Sequence, residues 1–329
     1  MKSKMEDKLK NIFAQTTECE LSLYREAAEL IKSGELVAFP TETVYGLGAN
    51  ALDEEAVKNI FIAKGRPSDN PLILHVSSRE MAERFVHLNE RAEKLMAEFW
   101  PGPLSLVLTA KEIVPLSTRG GLSTAAIRIP DNRIALEIIR LSDLPIAAPS
   151  ANKSGRPSPT DAKTVRTDLG EKVKMIIDGG RTDVGVESTV LDITGEHPIL
   201  LRPGAISKEE IEKLLGTEVF YTEEESINRR SPGTRYRHYA PKIPLLLAEV
   251  GKLPKEVQSK KWAWIGISEP SIEPNIKIIF KDNKEYAKEL FRVLREVEEK
   301  DIELIVAEIP EQNGIGIALS DRLKRASES

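Results

Sequence analysis

The sequence predicts an α/β fold in two units, a larger domain built on a mixed sheet and a small doubly wound domain. Short apolar runs alternate irregularly with helically spaced segments between residues 36 and 201, which favours a mixed rather than a repeated βαβ sheet. Strand and helix patterns alternate more regularly after residue 243, as in a doubly wound sheet. The length of 329 residues suits two domains, each with its own core.

Composition excludes several classes of protein. No apolar run approaches the roughly 20 residues of a membrane helix, and the charged N-terminus leads into no signal-type segment, so a cytoplasmic protein without membrane contact is expected. Cys19 is the only cysteine, which excludes an intramolecular disulfide and a thiolate-rich metal site. The formal charge of -5 does not indicate a dedicated nucleic-acid binder.

The elements of the larger domain follow from apolar spacing and from capping residues. Gly34 ends the first helix, Asp53 caps the next, and Ser207 with Glu210 forms a capping box for a helix that ends near Gly216. Strands are expected at residues 36–39, 72–76, 104–108, 126–130, 145–148, 173–177, 189–193 and 199–201. Helices are expected at residues 23–31, 53–63, 79–86, 90–99, 134–141 and 207–216.

Four segments are expected along the chain: an N-terminal extension at 1–20, a catalytic domain at 21–216, a linker at 217–242 and a C-terminal α/β domain at 243–329. The extension lacks sustained periodicity and is expected to be loosely held. Residues 226–242 contain five Lys or Arg residues and no carboxylate, and offer no apolar period for an element. In the last domain strands are expected at 243–248, 262–267, 276–280 and 302–307, and helices at 285–299 and 317–325.

The stretch FPTETVYGLG at residues 39–48 changes character where a buried strand ends. Hydroxyls, a carboxylate and two glycines follow the apolar run, as expected for a loop that holds a small polar ligand. An ordinary strand-to-helix turn explains the stretch equally well when it is taken alone.

Cations, hydroxyls and amides recur in the loops of the first domain. No Walker-type phosphate loop, nucleophile elbow or zinc-binding helix is present, and the four histidines show no metal-ligand spacing. Arginine forks suit phosphate and carboxylate oxygens, so the combination predicts a pocket for an anionic nucleotide and a small carboxylate-bearing partner.

Each of these residues also has a purely structural explanation. Lys64 and Arg66 could solvate a helix end, and Arg128 could point to solvent through strand alternation. His75 could be a hydrogen-bonded core histidine, and Ser150 with Asn152 could form a turn after Pro149. Their conjunction carries more weight than any one of them.

Six motifs together resemble the YrdC/Sua5 family of threonylcarbamoyl-adenylate synthases. They are PTETVYGL at 40–47, KGRP at 64–67, NPL at 70–72, WPGP at 100–103, PSAN at 149–152 and ESTV at 187–190. SPG at 231–233, YRHYAP at 236–241 and the appended α/β domain resemble the longer Sua5 branch. The resemblance implies a strongly curved mixed sheet with an open cavity.

The resemblance also implies a reaction. L-threonine, bicarbonate and ATP would become threonylcarbamoyl-AMP and pyrophosphate, and a separate transferase would move the threonylcarbamoyl group onto adenosine 37 of tRNA. Mg²⁺ would accompany ATP, held by phosphates and waters without a protein metal site. Weak RNA binding is left open. The competing hypothesis is an RNA-binding module without synthase activity, which would need exposed cations and stacking aromatics. A YrdC-like part of a hydrogenase maturation factor is disfavoured because zinc-finger cysteines are absent.

Site residues carried over from the resemblance fall into two groups. Those assigned to L-threonine are Thr43, His75, Arg128, Ser150 and Ser188. Those assigned to ATP are Lys64, Arg66, Asn70, Thr124, Asn152, Thr160, Arg202 and His238. Repeated Ser and Thr leave the register open within 117–124 and 158–160. The linker around residues 236–239 is expected to act as a lid over the cavity.

Overall fold

The larger domain is organised around a ten-stranded sheet. A computed structural model of the chain describes residues 2–13, 17–221 and 238–327. The strands are β1 (Val37–Phe39), β2 (Gly46–Asn50), β3 (Ile73–His75), β4 (Leu104–Thr109), β5 (Thr124–Arg128), β6 (Ile146–Ala147), β7 (Met175–Ile176), β8 (Thr189–Asp192), β9 (Ile199–Arg202) and β10 (Phe220–Tyr221). Their order across the sheet is β10-β9-β8-β4-β5-β3-β6-β2-β1-β7.

Strand direction confirms the expected mixed sheet. β3 runs parallel to β5 and antiparallel to β6, while β4 runs antiparallel to β5 and parallel to β8. The register of β3 and β5 places His75 opposite Arg128. Side chains of paired residues point to the same face of a sheet, so the pairing brings these two residues together.

Among the described residues, eight helices surround this sheet, and most of them begin at a side-chain cap. They are α1 (Lys2–Phe13), α2 (Glu18–Lys32), α3 (Glu54–Lys64), α4 (Arg79–Glu83), α5 (Glu90–Phe99), α6 (Arg133–Ser142), α7 (Ala162–Leu169) and α8 (Lys208–Leu215). The expected caps are present: Asp53 accepts from the first turn of α3, and Ser207 and Glu210 form a capping box at α8. Gly216 ends α8 in the left-handed conformation, where glycine has no steric penalty.

The N-terminal segment differs from the loosely held extension expected from sequence. α1 buries Met5 and Leu9 in the main hydrophobic core, and Lys8 Nζ donates to the Pro101 carbonyl over 3.1 Å. α2 also begins earlier than expected, at a capping box formed by Thr17 and Glu20. Met5, Leu9, Ile12 and Phe13 recur at the i, i+4, i+7, i+8 spacing of a helix, so the expectation of a segment without periodicity was wrong.

The C-terminal unit contains the expected parallel sheet. β11 (Leu245–Ala248), β12 (Trp262–Gly266), β13 (Ile276–Ile279) and β14 (Leu304–Glu308) lie in the order β11-β14-β12-β13. α9 (Asn283–Val297) and α10 (Ile315–Ser327) share one apolar cluster with one face of this sheet. On the other face, Trp262 and Trp264 pack beside a 3₁₀ turn at Lys255–Gln258. Two α-helices therefore cover one face of this sheet, and the 3₁₀ turn packs on the other.

The expected linker lies mainly outside the described residues. Residues 222–237, which include Tyr236 and Arg237 of the expected lid, fall in that undescribed part, whereas His238 and Tyr239 are described. The boundaries of the four expected segments stay predictions. In the described part of the chain, no helix combines the length and apolar character needed to cross a membrane.

Candidate active site

An open cleft lies where several strands of the large sheet end. Its walls come from the turn after β1, the end of β3, the end of β5, the segment after β6 and the start of β8. His238 and Tyr239, which follow the undescribed residues, complete the lining. Segments far apart in sequence thus meet around one concave surface.

Arg128 provides a fixed positive charge in this cleft. It is the last residue of β5, and its Nε donates to the Gly102 carbonyl over 3.0 Å while its Nη1 donates to Thr43 Oγ1 over 3.2 Å. Its Nη2 lies 2.6 Å from Glu42 Oε2, although the two groups lack the alignment of a hydrogen bond. These contacts hold the guanidinium in one orientation before any ligand arrives.

The turn before β2 places Thr43 next to this arginine. Thr41 Oγ1 donates to the Val44 carbonyl over 2.7 Å and lies 2.8 Å from Thr43 Oγ1. The Val44 amide donates back to Thr41 Oγ1 over 3.3 Å. Such side-chain to backbone bonds are typical of threonine turns and fix the loop locally. The PTET sequence therefore encodes the local shape that presents a hydroxyl to the cleft.

His75 is a neutral imidazole at physiological pH. Burial, with a further contribution from Arg128, lowers its pKa to about 3. Its Nδ1 lies 3.2 Å from the Ile73 carbonyl, and the ring lines the cleft. A neutral ring offers one donor and one acceptor, so His75 can bind a polar ligand without adding charge.

Ser188 and Arg202 form another wall. Arg202 Nε donates to the Ser188 carbonyl and its Nη2 donates to Ser188 Oγ, both over 3.1 Å. Ser188 Oγ also lies 2.8 Å from Ser105 Oγ in the buried interior. Burial lowers the pKa of Arg202 to about 10, so the group stays charged at neutral pH. The Ser188 hydroxyl and the Arg202 guanidinium therefore lie side by side in the cleft wall.

Lys64 lies behind the cleft wall. It is almost completely buried, and its Nζ donates to the Ser150 carbonyl, to the Asn152 carbonyl over 2.7 Å and to Asn152 Oδ1 over 3.2 Å. An ammonium group has three donors, so this set occupies all of them. Burial, followed by repulsion from Arg66, lowers the pKa of Lys64 well below its ordinary value. In this structure Lys64 holds the loop that brings Ser150 to the cleft.

Comparison with known proteins identifies the family. Residues 29–204 match the Sua5/YciO/YrdC family described as "Telomere recombination", and residues 206–328 match a family described as "Threonylcarbamoyl-AMP synthase, C-terminal domain". The chain belongs to the Sua5/YciO/YrdC family. The family resemblance predicted from the sequence motifs is thus confirmed.

Relatives within the family cover almost the whole chain. The chain is 47% identical over 321 residues to a threonylcarbamoyl-AMP synthase of Pyrococcus abyssi, covering 92% of this chain and 93% of the relative. It is 42% identical over 318 residues to the Bacillus subtilis protein of the same name, covering 92% of both. The crystal structure of P. abyssi Sua5 complexed with L-threonine superimposes with a TM-score of 0.86 at 46% identity, covering 92% of this chain and 94% of that one.

The structure brings many of the family-derived site residues into the cleft. Every residue assigned to L-threonine lines it: Thr43, His75, Arg128, Ser150 and Ser188. Of those assigned to ATP, the cleft is lined by Arg66, Arg202 and His238. The lining does not include Lys64, Asn70, Thr124, Asn152 or Thr160. The binding roles themselves stay predictions.

Two of the residues outside the cleft lining differ in their hydrogen bonding. Asn152 Nδ2 donates to the carbonyls of Lys153 and Arg156 over 2.9 and 2.8 Å, and its Oδ1 accepts from Ser150 Oγ over 2.5 Å. Asn70 is fully buried, and its amide has no hydrogen-bond partner among the described residues. Asn152 therefore stabilises the loop, whereas the side-chain amide of Asn70 makes no hydrogen bond within the described residues.

Sequence reasoning singled out His238 as a site residue and placed Tyr239 in the expected lid, but it did not assign Glu187 to the site. Burial opposes ionisation of Glu187, but Arg322 and Arg202 outweigh it and lower the pKa of the carboxyl. Burial raises the pKa of Tyr239 to about 12, and burial lowers that of His238 to about 3. The sequence signal for Glu187 is its place as the first residue of the ESTV motif. Tyr239 belongs to the YRHYAP motif.

Proposed function

We propose that the protein synthesises threonylcarbamoyl-AMP and pyrophosphate from L-threonine, bicarbonate and ATP. The observation that carries the proposal is the convergence of Thr43, His75, Arg128, Ser150 and Ser188 on one cleft that Arg66 and Arg202 also line. The names of the P. abyssi and B. subtilis relatives and the threonine complex of P. abyssi Sua5 support the same assignment.

The chemistry suits a site without a protein nucleophile. The threonine amine and bicarbonate lose water to give an N-carboxylated amino acid, whose carboxylate attacks the α-phosphorus of ATP. The bond from the α-phosphorus to the bridging oxygen breaks and pyrophosphate leaves. Positioning and neutralisation of the anions are the main requirements for these steps. The fixed guanidinium of Arg128 pairs with the threonine carboxylate, while Arg66 and Arg202 serve the phosphates.

Mg²⁺ is proposed to arrive with ATP and to be held by phosphates and water. Glu187 lines the cleft, but Ser158 Oγ donates to its Oε1 over 2.5 Å and Arg322 Nε donates to its Oε2 over 2.8 Å. Across the described ranges, no cluster of three His, Cys, Asp or Glu side chains is arranged to hold a metal ion. Such a site fits a cation that the nucleotide carries.

The product is proposed to serve a separate transferase that modifies adenosine 37 of tRNA in the cytoplasm. The alternative of an RNA-binding module requires exposed cations. Lys64 is 2% exposed, Arg66 9%, Arg128 3% and Arg202 6%, so these cations suit a small ligand better than an RNA backbone.

The test is pyrophosphate release by the purified full chain. Release is expected to require ATP, Mg²⁺, L-threonine and bicarbonate together, and no RNA. Arg128→Met should reduce it by about 100-fold, because a buried cation aimed at the substrate is lost. Arg133→Met provides a control, since Arg133 pairs with Glu20 away from the cleft. Protein that binds ATP but releases no pyrophosphate under these conditions would refute the synthase activity.

A further inference from the structure

Arg322 is a fully buried cation that the C-terminal unit inserts against the larger domain. It lies on α10 and is 0% exposed. Its Nε donates to Glu187 Oε2 over 2.8 Å, its Nη2 to the Pro203 carbonyl over 3.0 Å and its Nη1 to Asp321 Oδ2 over 2.6 Å. The planar fork of an arginine side chain can satisfy several acceptors in fixed directions at once.

These contacts join the two strands that form one wall of the cleft. Glu187 is separated from the start of β8 by Ser188 alone, and Pro203 directly follows β9. Ser188 and Arg202 are the immediate neighbours of Glu187 and Pro203, and they bond to each other in the wall. A single guanidinium from the other domain therefore bonds to the side chain of Glu187 and to the backbone carbonyl of Pro203, the residues next to these two cleft residues.

Arg322 also supports the end of the linker. Its Cζ lies 5.5 Å from the centre of the Tyr239 ring, and that ring stacks on Phe291 of α9 at a centroid distance of 5.1 Å. Tyr239 lines the cleft. A cation over the face of an aromatic ring attracts the ring electrostatically, so Arg322 stabilises the Tyr239 ring in this position.

We infer that Arg322 is a positioning residue that makes the C-terminal domain part of the active site. It holds Glu187 and Pro203 so that Ser188 and Arg202 face the substrates, and it seats Tyr239 at the edge of the cleft. The inference rests on the proposed synthase function for its kinetic consequences, but the positioning itself concerns the folded protein alone.

A second inter-domain arginine, which is partly buried, provides a matched control. Arg295 on α9 also bridges the two domains, since its Nη2 donates to Asp168 Oδ2 over 2.6 Å and to the Pro157 carbonyl over 2.5 Å. It does not line the cleft and does not touch Ser188 or Arg202. Arg295→Met therefore removes an inter-domain ion pair of the same chemistry while leaving the Ser188–Arg202 wall in place.

The experiment compares Arg322→Met and Arg295→Met by steady-state kinetics, thermal unfolding and hydrogen exchange. Both variants are expected to unfold at lower temperature, because each leaves a carboxylate without its buried partner. Only Arg322→Met is expected to raise KM for L-threonine and ATP by about tenfold, the effect of weakening one charged hydrogen bond. kcat should change less, because the wall binds ground state and transition state alike. Only this variant should speed amide exchange at residues 187–190 and 202–204.

Equal kinetics and equal exchange in the two variants would overturn the inference. If Arg322→Met does not fold, Arg322→Lys is measured in its place, because lysine retains the positive charge but lacks the planar set of donors. That variant should fold and still show the raised KM and faster exchange, and wild-type values in it would also overturn the inference. If the wild type releases no pyrophosphate, the synthase proposal fails, while the exchange data still establish or refute the positioning role.

Discussion

His75 is buried and His238 is half-buried in the cleft, and both lie near cations. Burial, with help from Arg128 for His75 and from Arg66 and Lys64 for His238, lowers each pKa to about 3. Both rings are neutral wherever the enzyme would be expected to work. Their protonation therefore affects stability in acid, and at neutral pH each ring is available only as a neutral hydrogen-bonding group.

His75 should make the fold sensitive to acid. Its pKa of about 3 in the folded protein lies below its ordinary value of 6.5. Between these values the unfolded chain binds a proton that the folded protein does not, so stability rises with pH across this window by about 1.4 kcal/mol per pH unit. The contribution is constant above pH 6.5, where neither state is protonated.

Urea unfolding between pH 4 and 6 checks this prediction. His75→Asn should show a shallower dependence of the unfolding free energy on pH than the wild type, by about 1.4 kcal/mol per pH unit. His87→Asn, at an exposed position, controls for loss of a histidine as such. Identical slopes in His75→Asn and the wild type would contradict the assignment.

At the scale of elements, α1 is a helix whose position depends on tertiary contact. Met5 and Leu9 lie on one side of it, four positions apart, and both are buried against the core. α1 contacts α5 and α6, which bring neighbouring apolar surface to it. Most helical stability in proteins comes from such tertiary contact, so the helical spacing of apolar residues predicts the helix but not the surface on which it docks.

Leu9→Ala should destabilise the protein by about 2 kcal/mol, because it removes buried methyl groups and leaves a cavity. Lys10→Ala, at the adjacent exposed position, should change the unfolding free energy by less than about 0.5 kcal/mol. Chemical denaturation of the full chain measures both. Equal effects of the two substitutions would indicate that α1 is not docked on the core in solution.

At the scale of the whole molecule, the two domains meet along the segment that supports the cleft. Val44 and Val186 of the larger domain belong to the apolar cluster of the C-terminal unit. Between them, the Gly185 amide donates to the Thr43 carbonyl over 3.1 Å. Gly185 has φ of +81°, and a Cβ there would lie 2.3 Å from the Lys288 carbonyl oxygen. The domain contact and the Thr43 turn thus share one tightly packed loop.

Gly185→Ala should weaken this contact. Gly180→Ala is the matched control, because Gly180 has φ of +79° and nothing within 4 Å of an added Cβ. Both substitutions carry the strain of a positive φ, so their difference isolates the clash with α9. Gly185→Ala should be less stable than Gly180→Ala by about 2 kcal/mol, the cost of overpacking. Thermal or urea unfolding measures the difference, and equal stabilities would show that the loop does not press on α9.

Much of the fold follows from signals that act within a few residues. Asp53 caps a helix by bonding to amides two and three positions away, and Ser207 with Glu210 does the same through a capping box. Short apolar runs identified most of the strands, because burial of alternating or continuous apolar faces is a local pattern. The motifs that carried the family resemblance were likewise contiguous, which is why the threonine-side residues could be named before the fold was known.

The sequence by itself determined the fold class, the family and eight of the seventeen residues that line the cleft. Only the tertiary structure decided that Lys64 supports a loop from behind, that α1 belongs to the core, and that Arg322 reaches Glu187. Arg322 and Glu187 are 135 positions apart. Periodicity and capping act over a few residues, whereas a buried ion pair depends on how two domains dock, and no local pattern records that geometry.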